Sequence, residues 1–78
     1  LKPHIDIAAV CRELCTRYYP HNSSIQDQIR SGKLDYQFDV YYAILGAKAL
    51  LAELKRQQII SDAVEIVDNS RFSDDIGL

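Results

Sequence analysis

The sequence predicts a small all-α domain of three or four antiparallel helices around one long central helix, at about residues 33–60, assembling as a dimer. Three observations point there. Lys33 to Ile60 runs twenty-eight residues without proline and with one interior glycine, Gly46. As a helix this stretch spans roughly 40 Å at 1.5 Å per residue. Apolar side chains occupy nearly every side of it, so two faces need covering. A chain of 78 residues buries only somewhat over ~60% of its unfolded surface, so little remains to supply both covers. Oligomerisation is a usual remedy at this size.

The first helix is expected from Ile5 to about Tyr18. Ile7, Cys11, Leu14, Cys15 and Tyr18 fall on one stripe, flanked by Ala8 and Val10, with Arg12, Glu13, Thr16 and Arg17 opposite. Pro3 suits the start, and Pro20 stops the helix by pushing its predecessor out of the α region. His21-Asn22-Ser23-Ser24 is a polar connector. A short second helix then runs from Ser24 to about Ser31, capped by Ser23 or Ser24. Ile25 and Ile29 share one of its faces, and Gly32 supplies a left-handed exit.

The long helix starts near Lys33 to Asp35, where Asp35 and Asp39 suit the positive end of its dipole. Tyr36, Val40, Ala43, Ile44, Ala47, Leu51 and Leu54 form its first apolar face. From Val40 onward this face steps four and three residues at a time, as a coiled-coil seam does, with Ile44 and Ala43 side by side. Leu34, Phe38, Tyr41, Tyr42, Leu45, Ala49 and Ala52 form a second face, roughly opposite. Gly46 lies between them. An interior glycine costs about 1 kcal/mol against alanine, and with Ala43, Ala47, Ala49 and Ala52 it marks either a close backbone approach or a bend.

Beyond Ile60, Ser61-Asp62 is another cap signal, ahead of Ala63 to Val67. That run suits a short helix or a short strand; the helix is the reading favoured here. Residues 1–68 form a single helical domain, and 69–78 an acidic, flexible C-terminal tail.

With 47% hydrophobic and 26% charged residues, the chain is too apolar for a disordered segment. Its net charge of −2 is unevenly spread. Residues 1–60 hold eight Lys and Arg against six Asp and Glu; residues 61–78 hold Arg71 against five acids. Such a balance lacks the clearly basic footprint of nucleic-acid binding. No apolar run reaches the ~18 residues of a membrane span. The start resembles no signal peptide, although without an initiator Met the first residues are expected to be missing or trimmed. Two cysteines are too few for a disulfide framework, which points to a reducing, cytoplasmic setting.

Candidate chemistry is sparse. His4, Cys11 and Cys15 share a helical face and His21 could join them, but the pattern matches no common zinc spacing, and the cysteines fit the buried stripe better. No nucleophile motif and no glycine-rich phosphate loop is present. Asp35 and Asp39, one turn apart, read as a solvated helix start. No catalytic residue, cofactor, metal or small-molecule substrate is expected, and the chain is not expected to be an enzyme.

The aromatic residues carry more. Tyrosine is favoured where a side chain is dry at one end and wet at the other. Tyr18 and Tyr36 are expected to rim the domain's own core. Phe38, Tyr41, Tyr42, Leu45, Ala49 and Ala52 are the candidate protein interface. The functional expectation is therefore a protein-binding module (a regulatory, adaptor or chaperone-like protein) working through helix–helix contacts as a homodimer. Two rivals stand beside it. One is a helix-turn-helix regulator using Arg12, Arg17, Arg30 and Lys33 on nucleic acid. The other is an inhibitor engaging a basic or nucleic-acid-processing protein through Asp35, Asp39 and the acidic end.

Overall fold

A computed structural model describes residues 2–72. The element order is β1 (His4–Asp6), α1 (Ile7–Thr16), α2 (Ser23–Arg30), α3 (Phe38–Arg56) and β2 (Glu65–Val67). The fold is mostly helical rather than all-α, because β1 and β2 pair in parallel. His4 lies opposite Glu65, Ile5 opposite Ile66, and Asp6 opposite Val67.

The strands replace helix at two places where the sequence suggested it. Ser61 does not cap a helix. Its hydroxyl accepts from Ala63 N (3.1 Å) and its carbonyl from Val64 N (3.0 Å), closing a turn that feeds β2. The β-branched Ile66 and Val67 then suit an extended, half-buried ladder. At the other end Asp6 closes β1 and caps α1 at once, Oδ1 accepting from Ala9 N at 3.1 Å. Helix α1 therefore starts at Ile7 rather than Ile5.

Helix α1 lies antiparallel to α3. Cys11 Sγ contacts the Ala43 carbonyl at 3.5 Å, and one turn onward the Cys15 thiol feels the charge of Asp39. Ile7, Ala8, Cys11 and Cys15 meet Ile29 of α2, Val40 and Ile44 of α3, and Phe72 in one core. The cap of α2 is Asn22, one residue before the expected serines, with Oδ1 accepting from Ile25 N. Gln26 Nε2 reaches back to donate to Tyr19 O (3.0 Å), in the turn that follows α1, and more weakly to Thr16 O (3.5 Å) at its end.

Helix α3 is nineteen residues long, shorter than the expected 33–60, and each end has its own cause. At the front, Asp35 is drawn out of the helix to become a fully buried carboxylate. Oδ1 accepts from Arg12 Nε (2.9 Å) and Oδ2 from Arg12 Nη2 (2.5 Å) and Arg71 N (3.0 Å). The expected role of Asp35 at a solvated helix start is therefore corrected. Gly32 makes the turn possible with φ +86°, and a Cβ there would stand 2.8 Å from both Arg12 Nη2 and Arg71 Nε. At the back, Gln58 adopts φ +62°. Gln58 N donates to Lys55 O and Ile59 N to Leu54 O, both at 2.9 Å, the Schellman pattern that ends a helix.

The expected tail from residue 69 begins inside the fold. Phe72 is fully buried, Arg71 N holds Asp35, and Arg71 Nη2 donates to Ser31 O. Lys48 pairs with Asp68 at 2.7 Å. Burial pushes the Asp68 carboxyl up, but the Lys48 ammonium and the Ser70 donors outweigh it and leave it below its ordinary range. Residues 73–78 of the expected tail lie outside the described residues.

Two stability predictions follow from these joints. Asp35→Asn strips the charge from a buried pair whose guanidinium stays largely enclosed; it should cost about 3 kcal/mol in a urea titration. Gln58→Gly relieves a left-handed side chain and should stabilise the fold by roughly 0.5–1 kcal/mol, read as a rise of a few degrees in Tm.

Candidate protein-docking surface

Helix α3 is covered on one side. Val40 and Ile44 are buried, and Ala43, Ala47 and Leu51 pack at the margin of the core, so the expected first face meets α1. Its outlier is Tyr36, which precedes α3 and is exposed. The Tyr36 hydroxyl donates to Arg71 O (2.8 Å), and its ring lies 5.9 Å from that of Phe72.

The expected second face carries the candidate interface, and the structure separates its members. Phe38 is 77% exposed and Tyr42 54%. Ala49 and Ala52 are exposed, Leu45 is half-buried, and Leu34 sits in the core margin before α3 begins. Tyr41 is half-buried because its ring packs 4.8 Å from Phe72, so much of it serves the chain's own fold. The rings connect in a line: Phe38 to Tyr42 at 4.7 Å, and Tyr42 edge-on to Tyr41 at 5.2 Å. Large exposed rings in contact with one another form an apolar patch, which is more informative than a scattered exposed leucine.

The patch extends beyond the residues expected from sequence. Tyr18, expected in the core rim, is 71% exposed. It shares a shallow depression with Phe38, Asp39, Tyr42 and Ala43. Leu14 and Val10, expected on or beside the buried stripe of α1, are exposed too, as is Leu50 on α3. Alternation by four along Val10, Leu14 and Tyr18 was visible in the sequence. It could not show which side α3 would take. An adjoining groove of about 340 Å³ between α2 and the start of α3 is walled by Ile25, Ile29, Leu34 and Phe38. At its polar end the Tyr19 hydroxyl donates to Asp39 Oδ2 at 2.8 Å. That hydrogen bond and the Asp39 charge raise Tyr19 above the usual phenol range, so it remains a donor.

Gly46 is on the surface, and a Cβ there would meet nothing within 4 Å. No part of the described fold uses the gap it leaves. Beyond it, Arg56 forks onto Glu53 through Nε (2.9 Å) and Nη2 (2.5 Å). This pair, with Gln57, brings the Glu53 carboxyl down to about 2.

The groups considered for chemistry are placed elsewhere. Cys11 and Cys15 are free and buried, and burial pushes both thiols up, away from the reactive thiolate. His4 is exposed at the start of β1. Among the described residues no cluster of three His, Cys, Asp or Glu could hold a metal ion, and no helix is long and apolar enough to cross a membrane. Comparison with protein families, with curated proteins and with solved structures found no match for this chain.

The two sides of α3 should respond differently to truncation. Ile44→Ala should cost about 2–5 kcal/mol, whereas Phe38→Ala should leave unfolding free energy within about 0.5 kcal/mol. Chemical denaturation of dilute protein checks both.

Proposed function

We propose that this chain is a small protein-interaction module that docks a helix along the exposed side of α3, with a homodimer as the working form. The observation that carries this reading is the exposure of the contacting rings Phe38 and Tyr42 on the side of α3 away from its core contacts. Leu45, Ala49 and Ala52 continue that side along the helix. Tyr41 forms its inner edge, where the ring rests on Phe72. Aromatic anchors beside small residues favour close helix packing, because large side chains then have somewhere to lie.

The groups that rival functions would use are largely engaged within the fold. Arg12 is committed to Asp35, and Arg30 forks onto Glu13 at 2.8 and 2.9 Å. That leaves Arg17 and Lys33 as the remaining cations of the nucleic-acid reading. Asp35, one of the two carboxylates an acidic inhibitor would present, is fully buried. An apolar side with two rings outward needs neither role.

Tyr42→Asp and Leu45→Asp test the reading directly. Each should abolish assembly in sedimentation velocity, and Tyr42→Asp should leave the helical circular-dichroism signal unchanged because its ring is exposed. An assembly that persists through both substitutions would remove this side of α3 from consideration.

A further inference from the structure

We infer that the occupant of the exposed seam is a second copy of this chain, its α3 antiparallel to the first, in the register that sets Phe38 against the partner's Arg56. This rests on the docking side and homodimer proposed above and adds direction and register. Phe38, Tyr42, Leu45, Ala49, Ala52 and Arg56 follow one another at steps of four, three, four, three and four. Those steps read the same from either end. A seam with that symmetry fits onto a reversed copy of itself, as a-to-d layers do in antiparallel coiled coils.

The side chains agree with the reversal. It sets Tyr42 over the partner's Ala52 and Leu45 over the partner's Ala49, a large residue against a small one in every apolar layer. Gly46, with open space where a Cβ would stand, lies beside the centre, where the two backbones come closest. A parallel pair would instead stack Ala49 on Ala49 and Ala52 on Ala52. Gaps at those layers forfeit the contacts that make packing favourable.

Charge decides the same way. Asp39 lies in the first turn of α3, and Lys55 and Arg56 in the last. Reversal brings the positive end of one helix dipole, with its carboxylate, beside the negative end of the other, with its cations. In the outermost layer the partner's Arg56 lies on the exposed ring of Phe38, beside Tyr18, Tyr42 and Asp39, which share a depression there. A planar guanidinium can stack on a ring while keeping its edge hydrogen bonds. The bonds to Glu53 therefore need not break. Parallel pairing would set Arg56 against Arg56.

The test is a charge swap read by sedimentation equilibrium over a wide concentration range, with thermal melts as a folding control. Phe38→Arg places like charges in the outer layers, and Arg56→Glu removes the cation from the ring and opposes Asp39. Each should weaken self-association by about tenfold or more. The double variant Phe38→Arg/Arg56→Glu restores an attractive pair in both outer layers and should recover most of the lost affinity. Within one chain the two positions are about 27 Å apart along α3, so recovery cannot arise inside a single copy. Suppose the double variant is no better than the singles while Leu45→Asp still dissociates the wild-type background. The antiparallel register is then overturned and the docking side stands. A wild-type chain that stays monomeric at every concentration overturns the second copy itself, here and in the proposed homodimer.

Discussion

The carboxylate of Asp35 is the joint on which this small fold depends. A buried charge is tolerated only when it is paired and hydrogen-bonded, and Asp35 meets that condition by gathering three distant parts of the chain. Arg12 comes from α1, Arg71 N from beyond β2, and Asp35 itself from the turn before α3. Closing those contacts positions Phe72 in the core and prevents α3 from beginning earlier. The same requirement explains Gly32, since any side chain there would push against both arginines. A modest apolar core thus acquires direction from one polar cluster.

With that joint made, the two sides of α3 part company. Helix α1 and Phe72 reach Val40, Ile44 and Tyr41, while Phe38 and Tyr42 lean on one another and stay largely exposed. The shortage of chain expected from length and composition is met by choosing one side to bury. The other retains aromatic rings and alanines at coiled-coil spacing, the arrangement from which the proposed interaction role is drawn.

Much of the local structure was legible because its causes are local. Cap and turn residues such as Gly32 and Pro20, and the spacing of Ile25 and Ile29, act within a few residues. They located α1, α2 and the middle of α3 close to where they occur. The division of α3 into two apolar sides followed from helical periodicity alone. Periodicity also grouped Phe38, Tyr42, Ala49 and Ala52 on one side, which the structure leaves exposed, but it could not show that Tyr41 would be half-covered by Phe72, a residue far along the chain. Leu14 and Tyr18 were misplaced because a stripe shows which residues align, not which neighbour will arrive. Gln58 carried no sign of a left-handed end, since that conformation is held by where Leu54 and Lys55 find donors.

Sequence by itself determined a small, mostly helical chain with one dominant amphipathic rod too apolar for its neighbours to hide. Periodicity, propensity and chain length are properties of neighbouring residues, so they survive without knowledge of the fold. Tertiary structure alone decided that His4–Asp6 would pair with Glu65–Val67, that Asp35 would be buried, and which side of the rod would remain open. Those outcomes depend on contacts between residues tens of positions apart. Their energies come from desolvated charge and shared apolar surface, which exist only after the chain has closed.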